Sequence, residues 1–345
     1  MESLRPLHKA NFTDVLDYGI FLYKKYFKKI FIINLMMNIP FMLLISIANP
    51  LFSDKYQDLL NSQSIVESNP TGMFPSILSL YSILFIYFIF YAVYALTIKI
   101  VLEGSIVKII YSDTVLGESR TIKQVVKECI SQFGKLFLGN LLYLLILGAV
   151  ILAAYIILLV GVLITTFAVV GVASTSVASP WISVILSIIG ILIAISVLFF
   201  VSLTICFFMG KYWMHLPVIC IEQKKAGTSI ERCNKIGKNN FYLIGFTYIF
   251  VYFIVFLFPS VTNSIISLVN LTSGNLDISI MKVGTIISQL ISSILQPLVA
   301  CVLTALYITL RVKREGLDME IDLWEIKKEK AAKERRWTAE VQNSQ

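Results

Sequence analysis

Lys99 and Glu103 stand four residues apart inside a long apolar stretch, a spacing that puts both side chains on one face of a helix. An ionisable pair at that depth in hydrocarbon is a candidate for proton or ion handling. Its plain alternative is a lysine that snorkels to the interface beside a hydrated glutamate. Gln289, Ser292, Ser293, Gln296 and Pro297 give a second apolar stretch its polar face, which suits either an internal pathway or a tight helix contact. Arg311, Lys313 and Arg314 close that stretch, followed by Glu315 and Asp318. Those cations suit lipid phosphates, and the carboxylates suit pairing with basic helices. His8 and His215 are the only two histidines, and no paired carboxylates stand in an acid–base motif. The five cysteines show no C-x-x-C spacing, which argues against disulfides and a metal cluster. No catalytic residue, cofactor or metal is expected.

The elements that must hold these residues follow from composition. With 57% hydrophobic and 14% charged residues, the chain has more apolar surface than one water-soluble core can hide. A helix needs about 20 apolar residues to cross the hydrocarbon. Six segments reach that length, near Ile30–Leu51, Ser76–Tyr111, Leu136–Val169, Trp181–His215, Phe241–Ile265 and Gly284–Leu310. They lack the strict alternation of barrel strands, so the expected fold is all-α and polytopic. A helix entering from the outside near Ser76 reaches the inner interface around Ile98 after about 22 residues, which favours the snorkelling reading of Lys99.

Lysine and arginine crowd the N-terminus, the second and fourth connections and the C-terminal tail, whereas the other three connections hold only Lys55 and Lys282. The positive-inside rule then places both termini in the cytoplasm, in agreement with an even number of spans. The net charge of +8 reads as topology plus attraction to anionic lipid of the cytoplasmic leaflet, with no nucleic-acid partner expected.

Three lysine-bearing amphipathic stretches, Phe12–Lys29, Ile122–Lys135 and Thr228–Asn240, each run directly into an apolar segment. An apolar face for lipid and lysines for headgroups describe an interfacial helix feeding a span. Lys24, Lys28, Lys135 and Lys238 are the candidate lipid or partner contacts, and Thr228 with Glu231 predicts a capping box for the third stretch. Three matched copies exceed what an ordinary membrane boundary collects, so an internal repeat is expected. Its units are residues 1–118, 119–223 and 224–316, each an interfacial helix plus a transmembrane hairpin, followed by a basic tail over 317–345.

Two short stretches carry a resemblance. Leu216 through Glu222, then Gly227, Ile230-Glu231-Arg232-Cys233 and Phe241, resembles a segment of the glycerophosphoryl diester phosphodiesterase membrane-domain family, in which a glycine turn and a "leucine, any, arginine, serine" helix lead into a span. Ile230 and Cys233 replace the usual leucine and serine. Tyr307 through Glu320 is similar to that family's closing signature at Arg311, Arg314, Glu315, Gly316 and Asp318, with Thr309 where an aspartate is common. The resemblance implies a bacterial plasma-membrane protein without the family's catalytic barrel, since a barrel needs roughly 200 soluble residues and the longest soluble segment is a tail of about 35. It also implies proximity to transport or envelope machinery.

The expected function is therefore a non-enzymatic accessory or scaffold subunit of a transport or cell-envelope assembly, touching anionic lipid and an ABC-type ATPase or envelope proteins. The alternative is a permease subunit with a pathway along the polar face of the last helix. Arg311, Arg314 and Glu315 join the lysines as candidate contacts, and Lys99, Glu103, Gln289 and Gln296 are the candidate intramembrane polar residues.

Overall fold

The computed structural model describes residues 7, 9–66, 73–173, 180–272, 278–321 and 323. The regular elements among them are helices: α1 (Phe12–Val66), α2 (Met73–Leu96), α3 (Ile98–Thr114), α4 (Ile122–Ser131), α5 (Phe133–Ala173), α6 (Pro180–Trp213), α7 (His215–Glu222), α8 (Ala226–Gly237), α9 (Phe241–Thr272) and α10 (Ile278–Glu315). Five helical stretches are long and apolar enough to cross a membrane: Tyr81–Thr114, Phe133–Gly161, Ile188–Glu222, Phe241–Val269 and Ile286–Glu315. The chain is thus an all-α, multi-pass membrane protein. The sixth expected span, Ile30–Leu51, falls within α1, but most of its side chains past Phe41 lie outside the described residues. The tail beyond Leu323 lies outside them as well.

Two expected spans are not single helices. The stretch Ser76–Tyr111 is broken at Thr97, which separates α2 from α3, and its hydroxyl donates to the Val93 carbonyl at 2.6 Å. A threonine bonding back four residues competes with the helical ladder and bends it. Met214 separates α6 from α7, four residues beyond Gly210, where a Cβ would lie 2.9 Å from the Tyr248 side chain.

These breaks divide the chain by solvent. Beyond them, α3 from Ile100 to Ser112, Glu103 apart, and α7 from His215 to Cys220 are buried, as is α10 from Leu298 to Leu310. Together with Val15, Leu22, Ile30 and Ile33 of α1 they form the core. On the other side, Phe85 and Phe88 of α2, Leu145 and Tyr155 of α5, Leu192 and Phe200 of α6, and Phe253 and Phe256 of α9 stand exposed. An apolar surface of that extent needs lipid against it.

α10 is the central helix, packed against α9, α1 and α3. Close approach to α1 is possible because Gly19 has no side chain: a Cβ there would lie 2.8 Å from the backbone Cα of Val302. Pro297 sits inside α10 and cannot donate to the Ser293 carbonyl four residues earlier. Asn34 of α1 takes that place, its Nδ2 donating to the Ser293 carbonyl at 2.5 Å. Asn38 Nδ2 donates in turn to Asn34 Oδ1, and the Tyr94 hydroxyl of α2 donates to Asn38 Oδ1. The Tyr23 hydroxyl satisfies the neighbouring Ile294 carbonyl at 2.7 Å. A polar chain thus ties α2, α1 and α10 together in a setting where an unpaired group is costly.

The amphipathic stretches do not place their apolar faces as the interfacial pattern predicts. Val125 and Cys129 of α4 are fully buried, with α4 packed on α3. Cys233 and Ile236 of α8 are buried too, with α8 packed on α5 and α7. Val15, Leu22, Tyr26 and Ile30 of α1 join the core. The apolar face is used by protein, leaving Ile130, Phe21 and Phe27 exposed. The expected capping box at Thr228 is also absent: α8 begins at Ala226, and the Thr228 hydroxyl bonds back to the Lys225 carbonyl at 2.9 Å. At the start of α4, by contrast, Gln124 Oε1 accepts from the Thr121 backbone N–H at 3.2 Å and from its hydroxyl at 2.8 Å.

Candidate functional site

Ion pairs gather where the buried ends of α3, α7 and α10 meet α4 and α8. The C-terminal end of α10 supplies Tyr307, Arg311 and Glu315, three positions at four-residue spacing and therefore on one face. Gly316 then adopts φ 64°, a left-handed conformation that favours glycine, and its N–H caps the Val312 carbonyl at 3.2 Å. That turn returns the chain so that Glu320 comes within 3.6 Å of Arg311.

Arg311 donates through Nε to Glu315 at 2.9 Å and through a terminal nitrogen to the Tyr111 hydroxyl of α3 at 2.9 Å. Glu315 is shared with Arg232 of α8, at 2.5 Å. Arg232 donates through Nε to both carboxylate oxygens of Glu222, the last residue of α7, at 3.0 and 3.1 Å. Glu222 also accepts from the Tyr307 hydroxyl at 2.7 Å and from Lys224 at 3.0 Å. The attraction of the two carboxylates holds the Arg232 guanidinium above its usual range despite the opposing effect of desolvation. Three helices, α7, α8 and α10, are thereby joined through alternating charges, with α3 tied in by the Tyr111 hydroxyl, and α8 is fixed to the bundle by its arginine.

A second group lies alongside. Lys108 of α3 is nearly buried and pairs with Glu128 of α4 at 2.5 Å; Arg120, from the α3–α4 connection, donates to the same oxygen at 3.1 Å and to Glu118 at 3.0 Å. The Lys108 hydrogen bond, with further attraction from both cations, holds the Glu128 carboxyl below its ordinary 4.5. Beneath this pair, Gly104 leaves space for two thiols: a Cβ there would meet Cys220 Sγ at 2.9 Å and Cys129 Sγ at 3.8 Å. Between the two groups is a cavity of about 340 Å³, lined among others by Lys108, Tyr111, Arg120, Glu128, Glu222 and Arg311.

The sequence candidates separate into distinct places. Arg311 and Glu315 lie in the network, while Arg314 is exposed one residue away. Lys24, Lys28 and Lys238 are exposed; Lys135 is exposed too and donates to the Gln223 carbonyl at 3.3 Å. Lys99 and Glu103 approach to 3.8 Å, both partly covered. Gln289 and Gln296 are half-buried on α10, and the adjoining Ser293 is engaged by Asn34. His215, one of the two histidines, is 3% exposed and stacked on Tyr143 of α5 at 4.9 Å.

Sequence reasoning missed Lys108, Glu128 and the network role of Glu222. Their signal was the placement of charges towards the C-terminal end of α3, in α4 and at the exit of α7. The two stretches that carry the family resemblance meet in space, since Glu222 and Arg232 belong to one and Tyr307, Arg311 and Glu315 to the other. Among the described residues, no group of three or more His, Cys, Asp and Glu side chains is arranged to hold a metal ion. Compared with family models, curated proteins and solved structures, the chain matches none.

Proposed function

We propose that this protein is a non-enzymatic subunit of a transport or cell-envelope assembly, with the ends of α3, α4, α7, α8 and α10 forming its cytoplasmic platform. The observation that supports it is the Glu222–Arg232–Glu315–Arg311 chain, which fixes the short helix α8 against α7 and the end of α10. A surface meant to hold a partner in register gains from such fixing, because ordering cost is met before binding. The exposed lysines Lys24, Lys28, Lys127 and Lys238 then face anionic headgroups and partner acids. Membership of the glycerophosphoryl diester phosphodiesterase membrane-domain family, without its barrel, belongs to the same proposal. It rests on Glu222, Arg232, Arg311, Glu315 and Gly316 converging at one place.

The test is cross-linking of the protein in its native membrane, followed by quantitative mass spectrometry of what purifies with it. The proposal predicts one partner at a constant, near-equal amount, cross-linked through lysines of α4 and α8. An ATPase in that position identifies a transport assembly, and an envelope protein identifies a scaffold. Recovery of the chain with no reproducible partner contradicts the proposal.

A further inference from the structure

We propose that the cavity between α3, α4 and α7 binds a phosphate group. This rests on the reading above that the basic end lies in the headgroup zone, and it adds to that reading a ligand class and a site.

The argument begins with hydrogen-bond supply. Glu222 is fully used: one oxygen accepts from Tyr307 and Arg232, the other from Arg232 and Lys224. One Glu128 oxygen already accepts from both Lys108 and Arg120. Donors, in contrast, remain. A lysine has three N–H groups and an arginine five. Among the described contacts Lys108 uses one of them, on Glu128, and Arg120 uses two, on Glu128 and Glu118. The Tyr111 hydroxyl accepts from Arg311, which leaves its own proton for an acceptor. The lining therefore keeps unused donors on Lys108, Arg120 and Tyr111, while Glu222 is saturated. Each of the lining cations, Lys108, Arg120 and Arg311, already has a carboxylate partner, so a further acceptor is met by their remaining N–H groups.

A group that only accepts, carries negative charge and presents several oxygens matches such walls, and phosphate is that group. Lys108 supplies a point charge at the buried side, where it is covered by α4. Arg120 supplies a planar fork at the rim, its side chain 29% exposed. A cavity of about 340 Å³ is large enough for a phosphate with part of its ester substituent, and lies at the small end of ligand pockets. Leu116, exposed on the wall, gives an ester chain an apolar edge to pass over. The phosphate belongs either to a lipid headgroup or to a soluble phosphate ester.

Full-length protein, purified and stripped of lipid in detergent, is titrated in native mass spectrometry with inorganic phosphate, glycerol phosphate, dioleoyl phosphatidylglycerol and dioleoylglycerol. The expected result is one bound phosphate-bearing molecule per chain and no retention of dioleoylglycerol. Retention of phosphatidylglycerol alone assigns a lipid source, and retention of inorganic or glycerol phosphate assigns a soluble one; both uphold the site. Lys108→Gln removes the partner of Glu128 and risks the fold, so Arg120→Gln carries the test. It is expected to weaken binding roughly tenfold or more, while Ser196→Ala, on the exposed face of α6 and away from the cavity lining, leaves it unchanged. No phosphate adduct, or an adduct unaffected by Arg120→Gln, overturns the site. A partner recovered by cross-linking without any phosphate adduct refutes only the cavity. A phosphate adduct without any partner refutes the assembly role and leaves the cavity standing.

Discussion

At the scale of residues, the account depends on polar groups that satisfy one another inside an apolar body. Asn34 shows this most clearly, because its partner is a carbonyl that Pro297 has left without its helical donor. Replacing Asn34 with alanine orphans the Ser293 carbonyl and is expected to destabilise the fold by about 1–3 kcal/mol. In a Pro297→Ala background the backbone N–H returns, so the cost of Asn34→Ala should shrink. A double-mutant cycle on thermal unfolding in detergent measures the difference, and equal costs in both backgrounds would contradict the pairing. Glu128 gives a pH prediction. Lys108 and Arg120 hold its folded carboxyl below the ordinary 4.5, so its stabilisation is complete above that value and is lost as pH falls through the lowered one. The difference in unfolding temperature between wild type and Glu128→Gln should be constant above about pH 5.5 and narrow below 4.5. A gap that stays flat down to pH 3 would show that the carboxylate charge is not what holds α4.

At the scale of elements, hydropathy made the helices legible, and with them the all-α membrane class, but not what covers each apolar face. The amphipathic pattern of residues 122–135 is real, yet Val125 and Cys129 are buried against α3, because periodicity marks an apolar face without saying whether lipid or protein meets it. The breaks at Thr97 and Met214 were similarly hidden inside continuous apolar runs. Arg311 and Glu315 stood out in the sequence as charges at a span's end. Lys108 and Glu128 did not, since their significance comes from the contact between α3 and α4. The crossing of α1 and α10 offers a test of packing. With Val302 Cα 2.8 Å from a Cβ at position 19, Gly19→Leu has to push the helices apart, whereas Gly134→Ala, at an exposed site with no neighbour within 4 Å, should be neutral. Overpacking of this kind costs about 1–3 kcal/mol or more, and a lowered unfolding temperature for Gly19→Leu alone is the expected outcome. Equal behaviour of the two variants would mean that α1 does not cross α10 closely there.

At the scale of the whole molecule, the division between a lipid-facing body and a protein-packed basic end is the central claim. The long apolar helices expose phenylalanine, leucine and isoleucine over most of their length, while the ends of α3, α7 and α10 are buried around paired charges. α8 depends on this arrangement, being a single short helix, and isolated helices of that length are marginal in water. Its persistence has to come from Cys233 and Ile236 in the core and from Arg232 on Glu222 and Glu315. Hydrogen–deuterium exchange of the full chain in lipid nanodiscs, comparing wild type with Glu222→Gln, is therefore the most direct measurement. The account predicts slow exchange over residues 226–237 in the wild type and a selective loss of that protection in the variant, with α9 unaffected. Fast exchange of that segment in the wild type, as from a free helix, would contradict it.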